Sequence, residues 1–115
     1  MDIRYYDIGL NLFSKQFRNP EEIIRNAETN QVVCVLTGTS TKANKQVADF
    51  VFKHESVYGT AGIHPHNADT AMKEDFELIE NIITSNHRIV AVGECGLDYD
   101  RMYSTRDNQI RCLEK

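Results

Sequence analysis

Apolar residues follow two spacings along this chain. Four short runs rich in apolar and β-branched residues predict strands: Tyr5 to Leu10, Val32 to Leu36, Val57 to Ile63 and Ile89 to Val92. Between the runs, apolar residues recur at intervals of three and four, which predicts amphipathic helices. The strands start roughly 25 to 32 residues apart, a usual length for a βα unit. The order predicts a parallel sheet with crossover helices.

The predicted helices have recognisable starts. Asn19 and Pro20 suit the cap and first position of the first helix. Ser104 or Thr105 could cap the last one. The residues predicted to face the core are Ile23, Ile24 and Ala27 in the first helix, Ala43, Val47, Phe50 and Val51 in the second, Phe76, Ile79 and Ile83 in the third, and Ile110 and Leu113 in the last.

Topology carries the prediction further. Right-handed crossovers between strands in sequential order place every helix on one side of the sheet and leave the other side bare. The run from Val32 to Leu36 is nevertheless apolar at successive positions, so both its faces favour burial. A closed barrel satisfies this, but eight βα units need about 250 residues. We therefore predict an α/β fold in which residues 1–115 form about four parallel (β/α) repeats, the N-terminal half of a TIM barrel. Its bare face and open edges predict self-association.

Composition excludes several classes of protein. The chain has 115 residues, enough for one domain, and its 41% hydrophobic and 26% charged residues are typical of a folded chain. A net charge of −4 argues against a basic nucleic-acid surface. If the protein acts on phosphodiesters, a metal ion must supply much of the electrostatic attraction for the phosphate groups. No apolar run approaches the length of about 18 residues that a membrane span needs, so we expect no membrane association.

The cysteines predict the compartment. Cys34, Cys95 and Cys112 are odd in number and scattered. The first two lie in apolar, strand-like runs, where a free cysteine behaves as a small hydrophobic residue. We therefore expect reduced thiols and a cytoplasmic protein.

His64 and His66 directly follow the third predicted strand. Pro65 favours extended backbone before it, and residues two apart in an extended chain point to the same side. The two imidazoles could bind a metal, contact a phosphate oxygen or transfer protons. The alternative is a turn with two exposed histidines.

Glu94 follows the fourth predicted strand, so we expect it beside His64 and His66 at the same edge of the sheet. A carboxylate there could bridge two divalent ions. It could equally pair with Arg101. Aspartates of the following loop, Asp98 and Asp100, are explained by turn or capping roles.

Two other polar turns offer weaker signals. At the end of the first strand, Gly9 leaves room for a ligand or a close backbone, and Asn11 can form hydrogen bonds. The turn from Gly38 to Thr41 could bind an anion at a helix N-terminus, but capping explains it better because it lacks the lysine and spacing of a P-loop.

Four segments taken together resemble one known family. They are Asp7 to Leu12, Leu36 to Thr39, Gly62 to His66, and Gly93 to Asp98. Their order and spacing are similar to those of the TatD family of metal-dependent deoxyribonucleases. The resemblance implies a TIM barrel of the metallo-dependent hydrolase type that cleaves DNA phosphodiester bonds, often as a 3′ to 5′ exonuclease acting on single strands or 3′ ends.

The resemblance also implies roles for individual residues. Glu94 matches the family's metal-ligand glutamate, with Mg²⁺ as the expected ion and Zn²⁺ or Mn²⁺ as alternatives. The pair His64 and His66 matches catalytic, phosphate-contacting histidines. Many members have two metal-binding histidines where this chain has Gly9 and Asn11. Members also take ligands and a catalytic aspartate from later strands.

Two functions follow from this comparison of motifs. The first is a truncated TatD-like nuclease with little activity by itself. The second is a non-catalytic half-barrel that pairs with a partner or with a copy of itself.

Overall fold

The predicted (β/α) half-barrel is confirmed by a computed structural model that describes residues 2–115; residue 1 of the predicted domain lies outside the described part. Its elements are β1 (Tyr5–Leu10), α1 (Pro20–Thr29), β2 (Val32–Leu36), α2 (Thr41–Lys53), β3 (Tyr58–Ala61), a 3₁₀ helix (Pro65–Thr70), α3 (Lys73–Ser85), β4 (Ile89–Val92) and α4 (Arg106–Glu114). The four strands are parallel and lie in the order β1, β2, β3, β4.

Side-chain caps explain where two of the helices begin. The Asn19 carboxamide oxygen accepts a hydrogen bond from the Glu22 N–H at 3.3 Å, as predicted for α1. For α4 the cap is Thr105 rather than Ser104, because the Thr105 hydroxyl accepts from the Asn108 N–H at 3.3 Å. Within residues 2–115, no helix combines the length and the hydropathy needed to cross a membrane.

The core lies between one face of the sheet and the first three helices. Its buried members in the helices are Ile24, Val47, Phe50, Val51, Ile79 and Ile82, and those in the strands are Cys34, Leu36, Ala61 and Ile89. The predicted apolar stripes of α1, α2 and α3 face this core, with Phe76 and Ile83 partly buried at its margin. The exception is Ala43, which is only half-buried and lies outside the core, because Asn44 takes the buried position in the first turn of α2. Burial of these side chains on one side fixes which face of each strand the helices cover.

The opposite face of the sheet is uncovered, as the topology predicts. Tyr6 and Ile8 on β1 are 62% and 78% exposed, and Val90 on β4 is 54% exposed. β1 and β4 are also the two edges of the sheet. We call these three side chains the inner face.

The prediction for α4 is wrong in one respect. Leu113 was expected to be buried, but it is 45% exposed, and Ile110 is only half-buried. The buried residue of this helix is Gln109, at 1% exposure. The reason is that α4 packs on the 3₁₀ helix and on a loop with polar backbone groups, where a hydrogen-bonding side chain fits better than an aliphatic one.

The cysteine prediction is also only partly right. Cys34 is buried in β2, and burial raises the pKa of its thiol. Cys95 is exposed, because β4 ends at Val92 and Cys95 lies in the following loop. It therefore does not act as a buried hydrophobic residue.

Candidate functional site

The ends of β3 and β4 bring together residues 62–66 and 93–98. The His64 Nε2 atom lies 3.3 Å from the Glu94 carboxylate. The rings of His64 and His66 meet edge to face, with their centroids 4.2 Å apart. The structure thus gathers the three predicted site residues at the carboxyl edge of the sheet, while their chemical roles stay predictions.

Backbone hydrogen bonds hold the β4 end against its neighbours. The Gly93 N–H donates to the Ala61 carbonyl at 3.0 Å, and the Glu94 N–H donates to the Gly38 carbonyl at 2.6 Å. The Thr60 hydroxyl joins the same strand ends, since it accepts from the Gly38 N–H at 3.1 Å and donates to the Gly93 carbonyl at 2.8 Å. Glu94 therefore projects from a fixed backbone.

A buried carboxamide and a glycine set the distance between the two segments. Asn44, 1% exposed, accepts from the Gly62 N–H at 3.1 Å and donates to the Gly62 carbonyl at 2.9 Å. A Cβ atom added to Gly62 would lie 2.6 Å from the carbonyl carbon of Gly93 and 2.8 Å from the Glu94 carbonyl oxygen. Close approach of the two backbones therefore requires glycine at position 62.

Hydrogen bonding fixes the proton on His64. Its Nδ1 accepts from the backbone N–H of His66 at 3.1 Å, and a backbone N–H can only donate. In the neutral ring the proton must then sit on Nε2, which faces the half-exposed carboxylate of Glu94. His64 consequently presents an N–H donor at the site. Within the described residues Arg101 makes no ion pair with Glu94, so the alternative pairing is wrong.

His66 pairs with Asp98, a residue that sequence reasoning assigned to a turn. The His66 Nε2 lies 2.6 Å from one carboxylate oxygen of Asp98. The other oxygen accepts from the N–H groups of Asp100 and Arg101, so the turn role is also correct. The hydrogen bond from His66, followed by that from the Arg101 N–H, lowers the pKa of Asp98 to about 2.

The Asp98 carboxyl should therefore titrate below an ordinary aspartate. Its folded-state pKa of about 2 lies below an unfolded-state value of about 3.9. Its contribution to stability is thus fully present above about pH 4 and is lost as the pH falls toward 2. A ¹³C carboxyl titration should place the Asp98 midpoint near 2 and higher in His66→Ala. An equal midpoint in the two proteins would show that His66 is not the main cause.

The structure explains the turn from Gly38 to Thr41 but not the glycine at the end of β1. Ser40 in the turn from Gly38 to Thr41 caps α2, because its hydroxyl accepts from the Ala43 N–H at 3.2 Å. At β1, a Cβ on Gly9 would meet nothing within 4 Å, so a close backbone does not explain the glycine. Asn11 is exposed.

The described residues do not complete a metal site. Among residues 2–115, no three His, Cys, Asp or Glu side chains converge on one point. The proton on His64 Nε2 makes that atom a donor rather than a ligand, and His66 Nε2 is paired with Asp98. Glu94 is therefore the one predicted ligand here, whereas a catalytic ion takes about three from protein.

Sequence reasoning did not identify two residues that shape this site. Asn44 lies three residues before Val47 and seven before Val51, so it is a polar residue on the apolar stripe of α2, and that position was an available signal. Asp98 carries no comparable signal, since aspartate is common in turns. Its contact with His66 joins residues 32 apart in the chain.

Comparison with known proteins identifies the family. A family profile described as TatD related DNase matches residues 6–115. The chain belongs to the TatD-related DNase family. The predicted resemblance is thereby confirmed, and His64, His66 and Glu94 all lie within the matched range.

Curated members of the TatD-related family are similar over most of this chain. The 3'-5' ssDNA/RNA exonuclease TatD of Cronobacter sakazakii is 38% identical over 106 residues, which cover 90% of this chain and 40% of that protein. Its namesake from Dickeya dadantii is 36% identical over 107 residues, covering 90% and 40%. The Escherichia coli protein of the same name is 32% identical over 110 residues, covering 94% and 42%. This chain therefore spans about two-fifths of the length of these relatives.

Proposed function

We propose that this chain carries part of the active site of a nuclease that hydrolyses phosphodiester bonds in nucleic acid with a divalent metal ion. The observation that supports the proposal is the 3.3 Å contact between His64 and Glu94 where β3 and β4 end. At that edge, a carboxylate can coordinate a cation, and an imidazole N–H can donate a hydrogen bond to a phosphate oxygen. Family membership supplies the reaction class.

Each site residue has a role in this proposal. Glu94 contributes one carboxylate ligand toward Mg²⁺, with Mn²⁺ or Zn²⁺ as alternatives, and the remaining ligands come from outside the described residues. His64 donates its Nε2–H to a phosphate oxygen, and His66 contacts the same phosphate group. A bound divalent ion supplies charge neutralisation and activates water in such enzymes. The chain's own groups orient the phosphate and keep Glu94 in place.

The proposed substrate is DNA, as single strands or 3′ ends, cleaved in the 3′ to 5′ direction. The curated relatives carry the name 3'-5' ssDNA/RNA exonuclease, so RNA is a further candidate. A net charge of −4 means that the protein surface offers little general attraction for a polyanion. We place the protein in the cytoplasm because Cys34, Cys95 and Cys112 are all free thiols.

The test compares cleavage of labelled single-stranded DNA in Mg²⁺ by two proteins. One is the 115-residue chain, and the other is a chimera in which this chain replaces its matched segment in the Cronobacter sakazakii relative. We expect cleavage by the chimera and little or none by the chain alone, because the described residues supply too few ligands. The unaltered relative is the positive control.

Two results would contradict this proposal. The first is a chimera that folds, as judged by circular dichroism and a cooperative melt, yet does not cleave while the relative does. The second is rapid cleavage by the chain alone, which would show that the ligand count is wrong.

A second candidate function is favoured by the inner face. Tyr6, Ile8 and Val90 form an exposed apolar surface between two unpaired strand edges, a combination that promotes association. We propose that this surface pairs with a partner or with a second copy of the chain. In that case the chain has a structural role in an assembly without being catalytic alone.

Sedimentation of the purified chain over a range of concentrations tests self-association. We expect species larger than a monomer, and we expect Ile8→Lys to shift the population toward monomer, because it places a charge on the inner face. The matched control is Phe52→Lys, since Phe52 is 77% exposed on α2, away from the inner face. A monodisperse monomer with a cooperative melt would contradict self-association.

A further inference from the structure

Asp98 is oriented by its own turn before it reaches His66. One carboxylate oxygen accepts from the backbone N–H groups of Asp100 at 3.0 Å and Arg101 at 3.1 Å. The second oxygen is thereby directed at the His66 ring, whose Nε2 lies 2.6 Å away. A side chain with both oxygens engaged has little rotational freedom, so this contact is geometrically fixed.

The backbone of Asp98 is held by α4 through one buried side chain. Gln109, which is 1% exposed, accepts from the Asp98 N–H at 2.7 Å and donates to the Asp98 carbonyl at 3.0 Å. Its amide nitrogen also donates to the Ser104 carbonyl at 2.9 Å. Both polar atoms of the Gln109 carboxamide therefore form hydrogen bonds to the loop that carries Asp98.

The same loop encloses His66 from its other side. The Ser104 hydroxyl, 1% exposed, donates to the His66 carbonyl at 3.0 Å and accepts from the Asp69 N–H at 3.0 Å. The Tyr103 ring meets the His66 ring edge to face, with the centroids 4.7 Å apart. Backbone and ring of His66 are therefore both fixed by residues 98–104.

We propose that Asp98 is a positioning residue for His66. Its carboxylate keeps the proton of the neutral ring on Nε2 and directs Nδ1 at the substrate, and Nδ1 donates to a phosphate oxygen once the ring has taken a second proton. Within residues 2–115, Nδ1 of His66 makes no hydrogen bond to protein. The inference rests on the proposed function, in which His66 contacts phosphate. It assigns α4 a part in the site, since Gln109 sets the position of Asp98.

The test is a long-range ¹H–¹⁵N spectrum of the 115-residue chain labelled at histidine, because ¹⁵N shifts report which ring nitrogen carries the proton. We expect His66 Nε2 to be protonated at pH 8 in the wild-type chain. In Asp98→Asn the carboxylate is lost, so we expect averaged shifts from a mixture of tautomers. Asp100→Asn removes a neighbouring charge without touching His66 and should leave the spectrum unchanged.

The wild-type spectrum decides the proposal even if Asp98→Asn does not fold. An unprotonated His66 Nε2 at pH 8 would overturn the proposal, and so would a folded Asp98→Asn chain with the wild-type tautomer. A purely structural role for Asp98 in its turn would leave the tautomer unaffected.

A titration with inorganic phosphate separates this inference from the proposed function. We expect the His64 and His66 signals to shift on addition of phosphate, with about tenfold weaker affinity in Asp98→Asn, the loss typical when an outer partner of a site histidine is removed. The expected tautomer without any phosphate response would count against the phosphate-binding role while supporting the link between Asp98 and His66.

Discussion

Replacing Glu94 with alanine in the chimera should lower the rate of single-stranded DNA cleavage in Mg²⁺ by about 100- to 1,000-fold. Loss of one preorganised group that stabilises transition-state charge has an effect of this size. Glu94 is the one predicted ligand, it lies 3.3 Å from His64, and its backbone is fixed by a hydrogen bond to the Gly38 carbonyl. No neighbouring acidic side chain in residues 2–115 forms a cluster that could replace it.

The matched control for this change is Asp100→Ala. Asp100 is an exposed acidic residue of the same segment, so its removal alters the net charge equally. We expect the Asp100→Ala chimera to cleave at close to the parent rate. A Glu94→Ala chimera that retained half of the parent rate would contradict the assigned role, provided that its melting temperature matched that of the parent.

Gly62→Ala should destabilise the chain by about 3 kcal/mol, the upper part of the range for overpacking a close contact. The added Cβ would lie 2.6 Å from the carbonyl carbon of Gly93 and 2.8 Å from the Glu94 carbonyl oxygen. Both are backbone atoms, which cannot move aside as a flexible side chain can. Relief requires separation of β3 from β4, which would also move His64 away from Glu94. Urea denaturation followed by circular dichroism measures the change in free energy of unfolding.

The control for this substitution is Gly9→Ala. A Cβ at position 9 meets nothing within 4 Å, and alanine restricts the unfolded chain more than glycine does. We therefore expect a change of less than about 1 kcal/mol. Equal losses of stability in Gly9→Ala and Gly62→Ala would show that the close contact between β3 and β4 is not responsible.

The fold and the proximity of His64, His66 and Glu94 could be predicted from sequence because each depends on local pattern. Apolar runs predict the strands, and βα spacing predicts parallel order. Parallel strands deliver the residues that follow them to one edge. That rule alone predicts that His64 and Glu94 lie close together, and the structure places the His64 Nε2 atom 3.3 Å from the Glu94 carboxylate.

Other features could not be predicted, because they depend on contacts between distant parts of the chain. Leu113 looks like a core residue in a helical pattern, yet α4 packs against polar backbone and buries Gln109 instead. Asp98 looks like a turn residue and is one, but its second oxygen meets His66, 32 positions earlier. Cys95 looks like part of a strand, and the end of β4 at Val92 leaves it exposed.

The most direct test of the central claim is where a divalent ion binds in the chimera of this chain with the Cronobacter sakazakii relative. In ¹⁵N-labelled protein, small additions of paramagnetic Mn²⁺ broaden the amide signals nearest the bound ion. We expect the signals of Glu94 and His64 to broaden first, that effect to disappear in Glu94→Gln, and Asp100→Asn to behave as the wild type. The same broadening around His64 in Glu94→Gln, or broadening confined to residues away from the ends of β3 and β4, would contradict the account.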